Sequence, residues 1–162
     1  MDDPRVRYAE VLLDEARQEL GRADNKVSVL LASAGLAGSI IAASIAAGKW
    51  SPAVLPAWRQ VIWWLGALSA LTGIIALATA LTPRMNHLGP ASTMSYFGHA
   101  AQLTSAKDLL DILGRVSDHP LERVADQLLI VSKLVVFKYA LIRLALASFG
   151  ATALLLAIST LS

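Results

Sequence analysis

The chain has 162 residues, room for one modest domain, and 56% of them are hydrophobic against 16% charged. An average soluble domain carries roughly 45–50% and about 25%. No cysteine is present, which excludes disulfides, thiol catalysis and thiolate metal sites. A formal net charge of +2 is too small to point to nucleic acid, so what counts is where the cations lie.

Residues 1–26 read as an N-terminal helix. Val6, Ala9, Leu13, Ala16, Leu20, Ala23 and Val27 fall three and four apart, a narrow a/d seam. The spacing continues through Leu30, Ala34, Ala37 and Ile41, so one helix of roughly 65 Å from about Pro4 to Ala47 is predicted. Gly21 weakens it by ~1 kcal/mol relative to alanine, which allows a break near the membrane surface.

Residues 27–47 (VSVLLASAGLAGSIIAASIAA) hold no charge and match the ~20 residues a helix needs to cross ~30 Å of hydrocarbon. Ser44-Ile45-Ala46 loosely resembles a signal-peptide cleavage site. Seven acids in the preceding 26 residues and the length of the apolar run favour an uncleaved anchor. Residues 48–60 form a short loop, where Pro52 and Pro56 make a tight hairpin. Residues 61–82 (VIWWLGALSALTGIIALATALT) are a second uncharged span.

Residues 83–139 open with Thr82-Pro83 and Gly89-Pro90, signals of a helix stop and a loop. Short helices are expected over 93–103 and 104–114. Ser117-Asp118-His119-Pro120 then begins the last helix, with Pro120 at its first position and Glu122 near the positive end of the dipole. Leu121, Val124, Leu128, Val131, Val135, Lys138 and Ile142 repeat the seam. The helix enters a third span, 140–162, whose apolar run is Leu144 to Leu161. The fold class is therefore an all-α membrane protein with three transmembrane helices, the first and third extended into a cytoplasmic helical layer.

Orientation follows from Lys and Arg. Five precede the first span and seven lie between Arg84 and Arg143, whereas the hairpin loop holds only Lys49 and Arg59. The positive-inside bias puts the N-terminus and the 83–139 sensor region in the cytoplasm, the 48–60 loop in the periplasm and the C-terminus outside. Trp50, Trp58, Trp63 and Trp64 cluster at the periplasmic ends of the first two spans, at headgroup level. Ala34/Gly38, Gly35/Ser39, Gly38/Ala42 and Gly66/Ala70 stand four apart, a spacing that lets helices approach closely within the chain or between copies.

Nothing catalytic emerges. His87, His99 and His119 fall at spacings that suit no common metal motif. No Ser, Lys or Asp has a nucleophile's context, and no glycine-rich phosphate loop follows a strand. The chain reads as a non-enzyme without cofactor or metal.

What asks for explanation is a charged band where the helices enter the membrane: Arg22, Asp24 and Lys26 before the first span, Lys133, Lys138 and Arg143 before the third. Lys138 interrupts an apolar seam, where a bare ammonium is costly unless paired or reached by water. Either Lys138 and Arg143 snorkel to headgroups, or Asp24 pairs with Lys138 and leaves Arg22 and Lys26 free for an anion. Tyr96, Phe97, Phe137 and Tyr139 accompany these cations, as packing residues or as stacking surfaces for a base.

Arg22-Ala23-Asp24-Asn25-Lys26-Val27-Ser28-Val29-Leu30-Leu31, entering the first span, resembles the RADxKA-type signature of bacterial Pycsar transmembrane effectors. So does Tyr96-Phe97-Gly98-His99, followed by Ala125-Asp126-Gln127-Leu128-Leu129 and by Ser132-Lys133 through Lys138-Tyr139 into the last span. The likeness runs from about Leu12 to Leu146. Val27 departs from the signature's usual alanine without touching the charges.

This resemblance implies antiphage defence. A cyclic pyrimidine mononucleotide (cUMP or cCMP), made by a partner cyclase, would be sensed, and the bacterial inner membrane impaired, ending in growth arrest or abortive infection. The nucleotide-binding candidates are Arg22, Asp24, Lys26, Tyr96, Lys133, Lys138 and Tyr139. A three-span protomer is too small to enclose a pore, so leakage requires a homo-oligomer. The expected partners are the lipid bilayer, further copies and the cyclase through its product, with no nucleic acid. The competing readings are a ligand-independent anchor recruiting a protein partner, and a holin-like small channel.

Overall fold

The structure is a computed structural model and describes residues 3–82 and 120–161. The short helices expected over 93–103 and 104–114, the Gly89-Pro90 loop and the Ser117–His119 helix entry lie outside the described residues. Within them the fold is helical, without strands: α1 (Pro4–Ala46), a 3₁₀ turn (Pro52–Val54), α2 (Ala57–Leu81) and α3 (Pro120–Leu161). Each α-helix is long and apolar enough to cross a bilayer.

The ends of α1 follow local chemistry. Asp3 Oδ1 accepts the Arg5 amide at 2.9 Å, an N-cap followed by proline at the first helical position. The helix then runs 43 residues without interruption. Gly21 does not break it, because its cost of ~1 kcal/mol is outweighed by the packing of Leu20 and Ala23 on either side. The helix closes in a Schellman motif. The Lys49 amide donates to the Ser44 carbonyl at 3.2 Å and the Gly48 amide to the Ile45 carbonyl at 3.0 Å, which requires the φ of +68° that Gly48 adopts.

The hairpin forms as the two prolines predict. Ser51 caps the 3₁₀ turn by accepting the Ala53 amide at 3.2 Å. Gln60 Nε2 donates to the Leu55 and Ala53 carbonyls at 2.9 and 3.2 Å, pinning the loop to α2. At its other end α2 stops at Leu81, and Thr82 is extended, with ψ of 129°, as the residue before a proline prefers.

The described residues fall into two compact units. The first unit comprises residues 3–22 and 120–136, and the second 23–82 and 137–161. In the first unit, Leu13, Val124 and Val131 are buried, with Ala9, Ala16, Leu20, Leu128 and Val135 packed against them. Every one of these belongs to a seam read from the sequence. Arg17 donates to the Gln127 amide oxygen at 3.1 Å beside this core.

In the second unit, Ala23 and Val27 of α1, Ala76, Leu77 and Ala80 of α2, and Ile142 and Ala145 of α3 form the core. Helices α2 and α3 run antiparallel with backbones close. Ser69 Oγ donates to the Ser148 carbonyl at 2.9 Å, and Thr152 Oγ1 to the Gly66 carbonyl at 3.2 Å. Gly66 faces Leu155 and Leu156, and Gly73 faces the Phe149 ring. The small residues of span two thus serve packing inside the chain.

Span one behaves differently. Its seam was expected to continue through Ala34, Ala37 and Ile41, yet Ala37 and Ile41 are exposed. Gly35 and Gly38 have open space beside them. Leu36 and Ile40 are 66% and 60% exposed, a cost in water but none against acyl chains. Periodicity reads which residues share a helix face, not whether a partner helix covers that face.

Candidate functional site: the charged band of the second unit

On α1, Ala23 and Val27 are fully buried, which fixes the rotation of the helix and leaves Asp24 half-exposed and Lys26 exposed. On α3, Ile142 and Ala145 are buried, and Lys138 lies one turn before Ile142 on the same face. Its side chain is only 16% exposed. An ammonium so placed needs an acceptor, and the Asp24 carboxylate supplies it: Lys138 Nζ donates to Asp24 Oδ1. Of the two readings of Lys138, the pairing with Asp24 is the one seen in the structure.

A second link runs beside it. Lys26 Nζ lies 3.3 Å from the Tyr139 hydroxyl, within donating distance, and 5.0 Å from the Tyr139 ring centroid, close enough for a cation–π attraction. Successive residues of α3, Lys138 and Tyr139, therefore meet Asp24 and Lys26 of α1, and the two helices run parallel here. The four side chains carry one carboxylate and two ammonium groups, leaving one surplus positive charge.

The other candidates lie elsewhere. Arg22 and Lys133 belong to the first unit, and Tyr96 lies outside the described residues, as do Phe97 and the three histidines. Arg22 is not the free cation that was expected. Its guanidinium donates to Glu19 Oε1 at 2.5 Å, one helical turn away. The i, i+3 spacing of Glu19 and Arg22 is a legible signal for this pair, whereas the Lys26–Tyr139 link has no local spacing to announce it. Lys133 and Arg143 are exposed.

Three long apolar helices, two of them joined across the chain by an ion pair at the start of the first and last spans, define a multi-span all-α membrane protein. A family model for the Pycsar effector protein domain matches residues 8–162. The chain belongs to this family, and so to the effectors of Pycsar antiphage defence rather than to its cyclases. Neither a curated protein nor a solved structure matches it.

Proposed function

We propose that this effector senses a cyclic pyrimidine mononucleotide, cUMP or cCMP, and as a homo-oligomer impairs the bacterial inner membrane, causing growth arrest or abortive infection. The observation that carries this reading is the Asp24–Lys138 pair beside Lys26 and Tyr139. A cyclic mononucleotide is a phosphodiester with a single negative charge, which suits the single surplus cation of the four side chains. Its phosphate would compete with Asp24 for Lys138 and meet Lys26, and Tyr139 offers a ring against which a base can stack.

The ligand would act through helix packing. Displacing Asp24 from Lys138 removes a link between α1 and α3, and the equilibrium between two packings shifts by the difference in nucleotide affinity for them. The exposed face of α1 around Gly35 and Gly38 offers a close approach for further copies. The cation distribution supports an N-terminus and sensor region in the cytoplasm, where the cyclase product is made, and a periplasmic C-terminus. The effector performs no chemistry of its own and needs no cofactor, metal or nucleic acid.

The test is dye release from liposomes carrying the purified protein. Release on adding cUMP or cCMP, with none for a purine cyclic nucleotide, is expected. No release with any cyclic nucleotide despite full insertion overturns the gating. A stable complex with another protein and no nucleotide binding by calorimetry would then mark an anchor. Toxicity on expression without a cyclase would mark a holin-like channel.

A further inference from the structure

At the hairpin end of the second unit the three helices leave an open cleft of about 300 Å³. Its walls are Ile40 and Ile41 of α1, Trp50 of the loop, Trp63 of α2 and Leu156 of α3. The two hydroxyls in the lining are already spent on their own helices: Ser44 Oγ donates to the Ile40 carbonyl at 2.9 Å and Thr160 Oγ1 to the Leu156 carbonyl at 2.8 Å. Neither hydroxyl is therefore a free donor for an occupant, and the lining is otherwise aliphatic and indole. Trp50 and Trp63 stand at its rim with ring centroids 5.8 Å apart.

One helical turn before Trp63 lies Arg59. Its guanidinium rests 5.1 Å from the Trp58 ring, and its Nε is buried with no hydrogen-bond partner among the described residues. Arginine stays charged, and a buried donor left unpaired is costly. Acidic side chains that could answer it are scarce in this unit. Asp24 is the single acidic side chain between residues 23 and 82, and residues 137–162 hold none. Asp24 is engaged by Lys138, roughly 30 Å away along α1 at 1.5 Å per residue. Lys49, next to Trp50, adds a second cation at the same end.

We propose that this end of the protein seats one phospholipid, its phosphate on Arg59 and Lys49 and an acyl chain in the cleft against Ile40, Ile41 and Leu156. The tryptophans set the depth, since indoles settle at the headgroup level of a bilayer, where phosphates are the abundant anions. A second copy of the chain is the poorer occupant. It would bring the same acid-free hairpin to Arg59 and supply no counter-charge for it.

Native mass spectrometry of the full chain, released from micelles containing phosphatidylglycerol, tests this. One phosphatidylglycerol retained per chain is expected, with dioleoylglycerol not retained and inorganic phosphate unable to displace the lipid. Arg59→Gln should lower retention about tenfold, Arg59→Lys should keep most of it, and Ile41→Phe should reduce it by filling the cleft while leaving the charge in place. Helix content by circular dichroism separates these effects from misfolding, and if Arg59→Gln does not fold, Ile41→Phe and Arg59→Lys decide. Equal retention in the parent and in Ile41→Phe, displacement by free phosphate, or a dimer retained in place of lipid would each overturn the seat.

Discussion

Lys138 of α3 gives its ammonium to Asp24 of α1 across 114 positions of sequence, in a seam that is otherwise aliphatic. The pair is intermediate in character. The lysine is mostly covered while the Asp24 side chain is 44% exposed, so its worth lies between an exposed pair and a buried one.

Replacing Asp24 by lysine sets two ammonium groups against each other. D24K should destabilise the protein by on the order of 1–2 kcal/mol and abolish nucleotide-dependent growth arrest. The exchange D24K with Lys138→Asp should recover helix packing, read by denaturation in micelles. Recovery of stability without recovery of arrest would assign the acid and base individual roles beyond pairing.

Glycines of the two spans should respond oppositely to added side chains. A Cβ on Gly73 would stand 2.7 Å from Phe149 Cε1, so Gly73→Ala should cost about 1–3 kcal/mol through overpacking, and Phe149→Leu should relieve it. Gly38 has nothing within 4 Å of its Cβ position, so Gly38→Leu should leave the isolated chain intact. Cross-linking in liposomes then reads whether α1 meets a second copy: loss of the oligomer ladder in that variant alone is the expected result.

In the first unit, Leu13 is 4% exposed and packs with Val124 and Val131. Leu13→Ala should cost about 2–5 kcal/mol, most visible as faster amide exchange over residues 9–20. Val11→Ala, on the exposed face of the same helix at 51% exposure, should stay within about 0.5 kcal/mol.

Gly48 holds a φ of +68° with open space beside it, so Gly48→Ala isolates backbone strain. A loss of about 1–2 kcal/mol is expected, seen as fraying at the end of α1, and Gly48→Asn should cost less.

How far the sequence could be read differed from place to place for physical reasons. The seam from Ala9 to Val27 was legible because water makes an apolar stripe costly and so ties periodicity to burial. The same periodicity misled beyond Leu30, since in lipid an uncovered isoleucine carries no penalty and Ile41 stays exposed. Asp24–Lys138 was legible because a lysine in an aliphatic seam demands a counter-charge, and one acid lay at the matching height on the parallel helix. The Arg22–Glu19 pair was passed over although its spacing is local. Lys26–Tyr139 could not be read, because it depends on the exact rotation of two helices.

The uncovered bilayer half of α1 has a bearing on biogenesis. Of the three spans it is made before the other two, and beyond Leu30 its backbone is satisfied within the helix while Leu36, Ile40 and Ile41 stay uncovered by the rest of the chain. The last helix is not so independent, because Lys138 must find Asp24 and the Ser148 carbonyl must find Ser69, both on segments already threaded. Insertion of the three spans therefore runs from a self-sufficient first to a dependent third, and a lesion at Asp24 is first felt when Lys138 arrives.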